Sequence, residues 1–157
     1  MNRPEVGSQA PPFDRESDGG ERVTLESLHG RPAVLYFYPK DDTPGCTRQA
    51  CSIRDSWSQF ERAGVALYGV SPDSAESHTT FKQKYSLPFP LLADADHSMA
   101  DAFGVWVEKT NYGKTYWGVT RSTFIIDGEG TVVHVIEKAS PKTHAADVLA
   151  VLEGATA

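Results

Sequence analysis

Two apolar runs constrain this chain more than any other feature. "AVLYFYP" at 33–39 and "GVALYGVS" at 64–71 are continuous and rich in β-branched and aromatic residues, the pattern of strands buried on both faces. Between them Ala50, Ile53, Trp57 and Phe60 recur at three- and four-residue spacing, the stripe of an amphipathic helix. Gly64 stands where that helix should end. Strand, helix, strand in this order predicts a βαβ unit with a right-handed parallel crossover.

The flanking segments extend this unit. Upstream, "FDRESDGGERVTLESL" predicts two short strands about the Asp18-Gly19-Gly20 turn. Downstream, Ser71 followed by Pro72 predicts an N-cap and first helical residue for "SPDSAESHTTFKQKY". "PLLAD" predicts a short strand end and "DHSMADAFG" a short helix. "STFIIDGEGTVVHVIEKA" at 122–139 has two apolar runs about Asp127-Gly128-Glu129-Gly130, a hairpin signal, and "THAADVLAVLEG" closes as a helix. The expectation is an α/β chain of thioredoxin-like layout: a mixed central sheet flanked by helices, preceded by an N-terminal β-hairpin.

At 157 residues, 39% hydrophobic and 23% charged, the chain suits a single domain over 1–157 that needs no disulfide or metal to fold. No apolar run approaches the roughly 20 residues of a membrane span. The start, "MNRPEVGSQAPPFD", lacks the apolar core of a signal peptide, so the expected location is cytoplasmic. The net charge of −6, with no basic run, argues against nucleic acid as a partner.

Both cysteines lie in "FYPKDDTPGCTRQACSIRD", five positions apart. With Thr43 as N-cap and Pro44 as first helical residue, Cys46 falls in the first turn of the helix. Unpaired backbone N–H groups and the positive end of the helix dipole favour an anion there, so Cys46 is expected to react as a thiolate. Gly45 lets another group approach the backbone closely. On an ideal helix, residues five apart have Cα atoms about 8.7 Å apart and point about 140° from one another. A disulfide needs less than about 7 Å, so Cys46 and Cys51 bond only if the helix unwinds locally. "CTRQACSIRDSWS", rich in middling-to-poor helix formers, suits such melting.

Other chemistry has less in its favour. A free thiol is often inert and buried, which explains one cysteine but not its strand–Thr-Pro-Gly–helix setting. Zinc would need two more ligands, and His29, His78, His97, His134 and His144 show no paired spacing. A cysteine hydrolase would need a partnered histidine; His134 and His144 remain open, with a surface or strand role favoured. A disulfide reductase or isomerase is disfavoured by the Cys-x4-Cys spacing, and an interaction module whose disulfide alters a binding surface stands as an alternative from another class.

Taken with "GVSPDS", "LPFPLLAD", "FGVW", "YGKTYWGVTRSTFIID" and the late "THA", the cysteine segment resembles the peroxiredoxins, in particular the Q-type or bacterioferritin comigratory subfamily. The resemblance runs in order from about Pro11 to Leu152, with the Pro-x3-Thr-x2-Cys signature, a second cysteine five residues on and an Arg before "STFIID". It implies a thiol peroxidase of thioredoxin-like fold that reduces hydrogen peroxide and alkyl hydroperoxides. It implies Cys46 as the peroxidatic cysteine, Cys51 as the resolving one, and an intrachain disulfide between them. Thr43 is implied to hydrogen-bond the peroxide and thiolate, Pro39 to shield the site from water, and Arg121 to hold the thiolate and polarise the peroxide. No nicotinamide or metal motif is present, so no cofactor is expected and electrons must come from thioredoxin or a similar dithiol. Resolution within one chain points to a monomer.

Two features stay outside this scheme. Trp106, Tyr112, Tyr116 and Trp117, in "VWVEKTNYGKTYWGV", suit an alkyl pocket or a docking patch, with core and hairpin packing the favoured role. Lys40, Asp41 and Asp42 read as solvated loop charges without a catalytic case.

Overall fold

A computed structural model describes residues 3–155. The strands are β1 (Asp14–Ser17), β2 (Arg22–Thr24), β3 (Ala33–Phe37), β4 (Ala66–Ser71), β5 (Leu91–Ala93), β6 (Trp106–Asn111), β7 (Lys114–Val119), β8 (Ser122–Ile126) and β9 (Val132–Ile136). The helices are α1 (Pro44–Asp55), α2 (Trp57–Ala63), α3 (Ala75–Tyr85), α4 (Ser98–Ala102) and α5 (His144–Ala155). Seven strands form one mixed sheet in the order β2-β1-β5-β4-β3-β8-β9, while β6 and β7 pair as a separate ribbon. The sequence predicts this mixed sheet with an N-terminal hairpin, and β1 and β2 form that hairpin, antiparallel in register Asp14↔Thr24.

β3 is the central strand. It runs parallel to β4, with Ala33 opposite Ala66, and antiparallel to β8, with Phe37 opposite Ser122. All five of its residues are buried, because each face carries a layer. Ala33, Leu35 and Phe37 point into one core with Met99, Phe103 and Phe124, whereas Val34 and Tyr36, with Tyr38 just beyond the strand, point into the other with Ile53, Phe60, Phe81 and Val148. Phe37, Phe103 and Phe124 meet at centroid distances of 5.2, 5.7 and 5.1 Å. Full burial of each ring contributes about 1.5–3 kcal/mol, which fixes the sheet that carries the site.

Two boundaries differ from expectation. The stripe Ala50–Phe60 is carried by two helices: Ser56 (φ −107°, ψ 14°) leaves helical geometry, and Trp57 starts α2, where its ring lies 5.8 Å from Phe89. Gly64 ends α2 in the left-handed region (φ 71°), as its position predicts. The third helix is capped by Ser74 rather than Ser71: Ser74 Oγ accepts from Ser77 N at 3.1 Å. Ser71 is instead the last residue of β4, and its hydroxyl is engaged by Asp73 Oδ2 at 2.7 Å. Among the described residues no helix is long and apolar enough to cross a membrane.

Candidate active site

β3 leads through Pro39 to Thr43, which takes the N-cap position of α1 with extended backbone (φ −93°, ψ 155°). Pro44, Gly45 and Cys46 form the first turn, where backbone N–H groups have no acceptor within the helix. Cys46 is buried there at 2% exposure. Thr43 caps by position only: its Oγ1 donates to Lys40 O at 2.9 Å, closing the turn before the helix.

Arg121 reaches this turn from 75 residues away. The β3–β8 register sets Ser122 opposite Phe37, so the preceding Arg121 stands where the chain leaves β3 for the cysteine loop. Its Nη1 donates to Cys46 Sγ at 3.4 Å and to Gln49 Oε1 at 2.7 Å. Its carbonyl accepts from Ala139 N at 2.9 Å, tying the backbone at this point. A positive, permanently charged donor thus lies against the thiol from one side and the helix N-terminus from the other. Gly45 suits this packing: a Cβ there would stand 3.0 Å from Arg121 Nη2, so the guanidinium would have to give by a few tenths of an ångström.

Pro39 is half-buried at the bend after β3, beside this loop. Cys51 is half-buried in the same unbroken α1, and both thiols are free. Gln49 is a site residue that the sequence reading missed. It is fully buried one turn after Cys46, on the same helix face, and its oxygen orients the guanidinium. Its three-residue spacing from Cys46 was the available signal.

Asp41 is a correction. Sequence suggests a solvated charge, but Asp41 is buried at 8%, because Tyr38 Oη, Ser77 Oγ and His78 Nδ1 all engage its carboxylate. Asp42 and Lys40 do lie at the surface. Of Trp106, Tyr112, Tyr116 and Trp117, Trp106 packs against the core, stacking on His97 at 4.0 Å, while the other three are exposed. Lys109, on the same ribbon, donates from Nζ to Val119 O. Burial first, then the charge of Arg121, holds its ammonium below the usual lysine range.

The histidines do not serve Cys46. Among the described residues Arg121 is the one side chain hydrogen-bonded to its sulfur. His134 lies on β9 opposite Ile125. His144 is fully buried at the start of α5, its Nε2 2.6 Å from Thr123 Oγ1, and burial pushes its pKa down to about 4. Above about pH 6.5 this imidazole is neutral both folded and unfolded, so its contribution to stability is intact. As pH falls toward 4, the unfolded chain takes up a proton that the native state resists, with a loss of up to about 3 kcal/mol. Urea midpoints at pH 7 and 4.5 should therefore separate less in His144→Gln than in the wild type; an equal separation would contradict this assignment of the acid sensitivity.

The match to known proteins agrees with the geometry. The AhpC/TSA family matches residues 6–135. Peroxiredoxin Bcp of Bacillus subtilis is 48% identical over 149 residues, covering 95% of this chain and 95% of that protein. The structure is similar to that of the bacterioferritin comigratory protein of Xanthomonas campestris, with TM-score 0.88, 39% identity and 92% of each chain covered. A PrxQ mutant of Xylella fastidiosa superposes with TM-score 0.93 at 32% identity over 100% of both chains. The chain therefore belongs to the AhpC/TSA family, within its bacterioferritin comigratory or Q-type peroxiredoxins, and is a thiol-dependent peroxidase.

Proposed function

We propose that this chain reduces hydrogen peroxide and organic hydroperoxides at Cys46 and completes each cycle with Cys51. The contact between Arg121 Nη1 and Cys46 Sγ, at the first turn of α1, is the observation that carries this reading. The thiolate attacks one peroxide oxygen in line. The O–O bond breaks, a proton goes to the departing oxygen as water or alcohol, and Cys46 becomes a sulfenic acid. Charge moves along S···O···O, where the guanidinium and the first-turn N–H groups stabilise it. Thr43, its own hydrogen engaged by Lys40 O, meets the hydroperoxide as an acceptor. Pro39 walls the approach.

Cys51 then attacks the sulfenic sulfur, water leaves, and an intrachain disulfide forms. The helical separation of about 8.7 Å requires α1 to unwind for this step. A thioredoxin-like dithiol reduces the disulfide by exchange. The alkyl peroxide reduction described for the Xanthomonas campestris relative supports organic hydroperoxides as substrates. A monomer in the cytoplasm completes the proposal. With thioredoxin, thioredoxin reductase and NADPH, addition of hydrogen peroxide or an alkyl hydroperoxide should drive sustained NADPH oxidation. Turnover with glutathione and glutaredoxin but none with thioredoxin would overturn the reductant; no turnover with either would overturn the two-cysteine cycle.

A further inference from the structure

The buried Asp41–His78 pair is outside the reaction scheme above, yet it ties the loop that leads into the cysteine turn, through Asp41, to His78 on α3. Asp41 and His78 side chains are 4% and 0% exposed, with Nδ1 2.7 Å from Oδ2. His78 Nε2 is 2.9 Å from Leu92 O, which only accepts. Both ring nitrogens thus face oxygens, and the imidazole bridges the Asp41 carboxylate and the backbone of β5. Tyr38 Oη at 2.6 Å donates to Oδ1, and Ser77 Oγ at 2.8 Å completes the shell of Oδ2. Burial holds the Tyr38 phenol well above its usual range, so it keeps the proton it donates.

The backbone is tied as firmly. Asp41 N donates to Asp73 Oδ2 at 2.8 Å, itself held by Ser71 Oγ at 2.7 Å. Asp42 has a left-handed backbone (φ 57°), an unfavourable conformation that Asp tolerates better than most residues. Its carboxylate accepts from Lys84 Nζ and Tyr85 Oη, each at 2.7 Å. Two successive carboxylates are therefore fastened to the two ends of α3. The anchors of Asp41 and Asp42 are Tyr38 just beyond β3, Asp73 between β4 and α3, and Ser77, His78, Lys84 and Tyr85 of α3; none lies on α1.

We infer that Asp41 and His78 are positioning residues, which hold the Pro39–Thr43 half of the peroxide pocket in place while α1 unwinds and rewinds. This rests on the peroxidase reading, since it gives the pair a part in that cycle. The stationary half preserves the placement of Pro39 and Thr43, so only α1 has to be rebuilt after reduction. Released, the segment no longer presents Thr43 to the hydroperoxide, and a misplacement of about 1 Å at a reacting group lowers rate by up to about a hundredfold.

Hydrogen exchange on the unmodified protein tests this directly, comparing the reduced form with a disulfide form made with diamide. Amides of 47–55 should lose protection on oxidation while the Asp41 amide keeps it. Equal loss at Asp41 would overturn the inference. In Asp41→Asn and His78→Asn, with saturating dithiothreitol as reductant, KM for hydrogen peroxide should rise about ten- to a hundredfold. Under the same conditions kcat, set by disulfide recycling, and Cys46 alkylation by iodoacetamide should hold. A wild-type KM in either folded variant would overturn the positioning role alone, whereas failure of the wild type to turn over would instead overturn the peroxidase reading. Should a variant not fold, the exchange comparison decides.

Discussion

Replacing Cys46 by serine is expected to abolish peroxide reduction, leaving only the background of the assay mixture. The exchange of sulfur for oxygen keeps the side chain small in a buried position, so the folded state should persist. What it removes is the nucleophile. A serine hydroxyl holds its proton far more tightly than a thiol, and helix dipole effects of about 0.3–2 kcal/mol do not bridge that gap, even beside a guanidinium. Cys51 cannot substitute, because it lies five residues further along α1 with Arg121 committed to Cys46 and Gln49. Peroxide loss followed colorimetrically, with circular dichroism to confirm folding, measures this. Retained activity in the serine variant would show that the reacting thiol has been misassigned.

Replacing Cys51 by serine should have a different outcome. The chain contains two cysteines, so this variant keeps the attacking thiol and loses the only other one. It should consume one equivalent of hydrogen peroxide and then stall, with Cys46 as a sulfenic acid that dimedone traps. Excess peroxide should carry it on to the sulfinic acid, which a dithiol does not restore. Mass spectrometry of the intact protein distinguishes these species. Sustained recycling by thioredoxin at the wild-type rate would reveal a resolving route that bypasses Cys51.

Much of the fold was legible because local pattern and tertiary demand agree. The run 33–37 is apolar at every position and rich in β-branched and aromatic residues, the pattern of a strand covered on both faces. Thr43-Pro44-Gly45 marked the start of α1 because a prolyl residue is tolerated at the first helical position and few others. The less legible features are those decided at long range. Contact between Arg121 and Cys46 depends on the β3–β8 register, which no local spacing encodes, so sequence supplied it through resemblance alone. Asp41 in "KDDT" has the composition of a solvated loop, and only the docking of α3 buries it. Ser71 and Ser74 are equally good caps in isolation; Asp73 engages one hydroxyl and leaves the other to the helix. In the same way, nothing local marks His144 as buried, since its burial comes from α5 packing beside Thr123 on β8.

The central claim is that Cys46 and Cys51 act together within one chain. Its most direct test is stoichiometric: fully reduced protein is mixed with one equivalent of hydrogen peroxide, and peroxide and free thiols are followed together over seconds. The account predicts that peroxide and both thiols disappear in step, with only monomer on a nonreducing gel. Slow or absent reaction, or loss of peroxide with Cys51 still free, would contradict it.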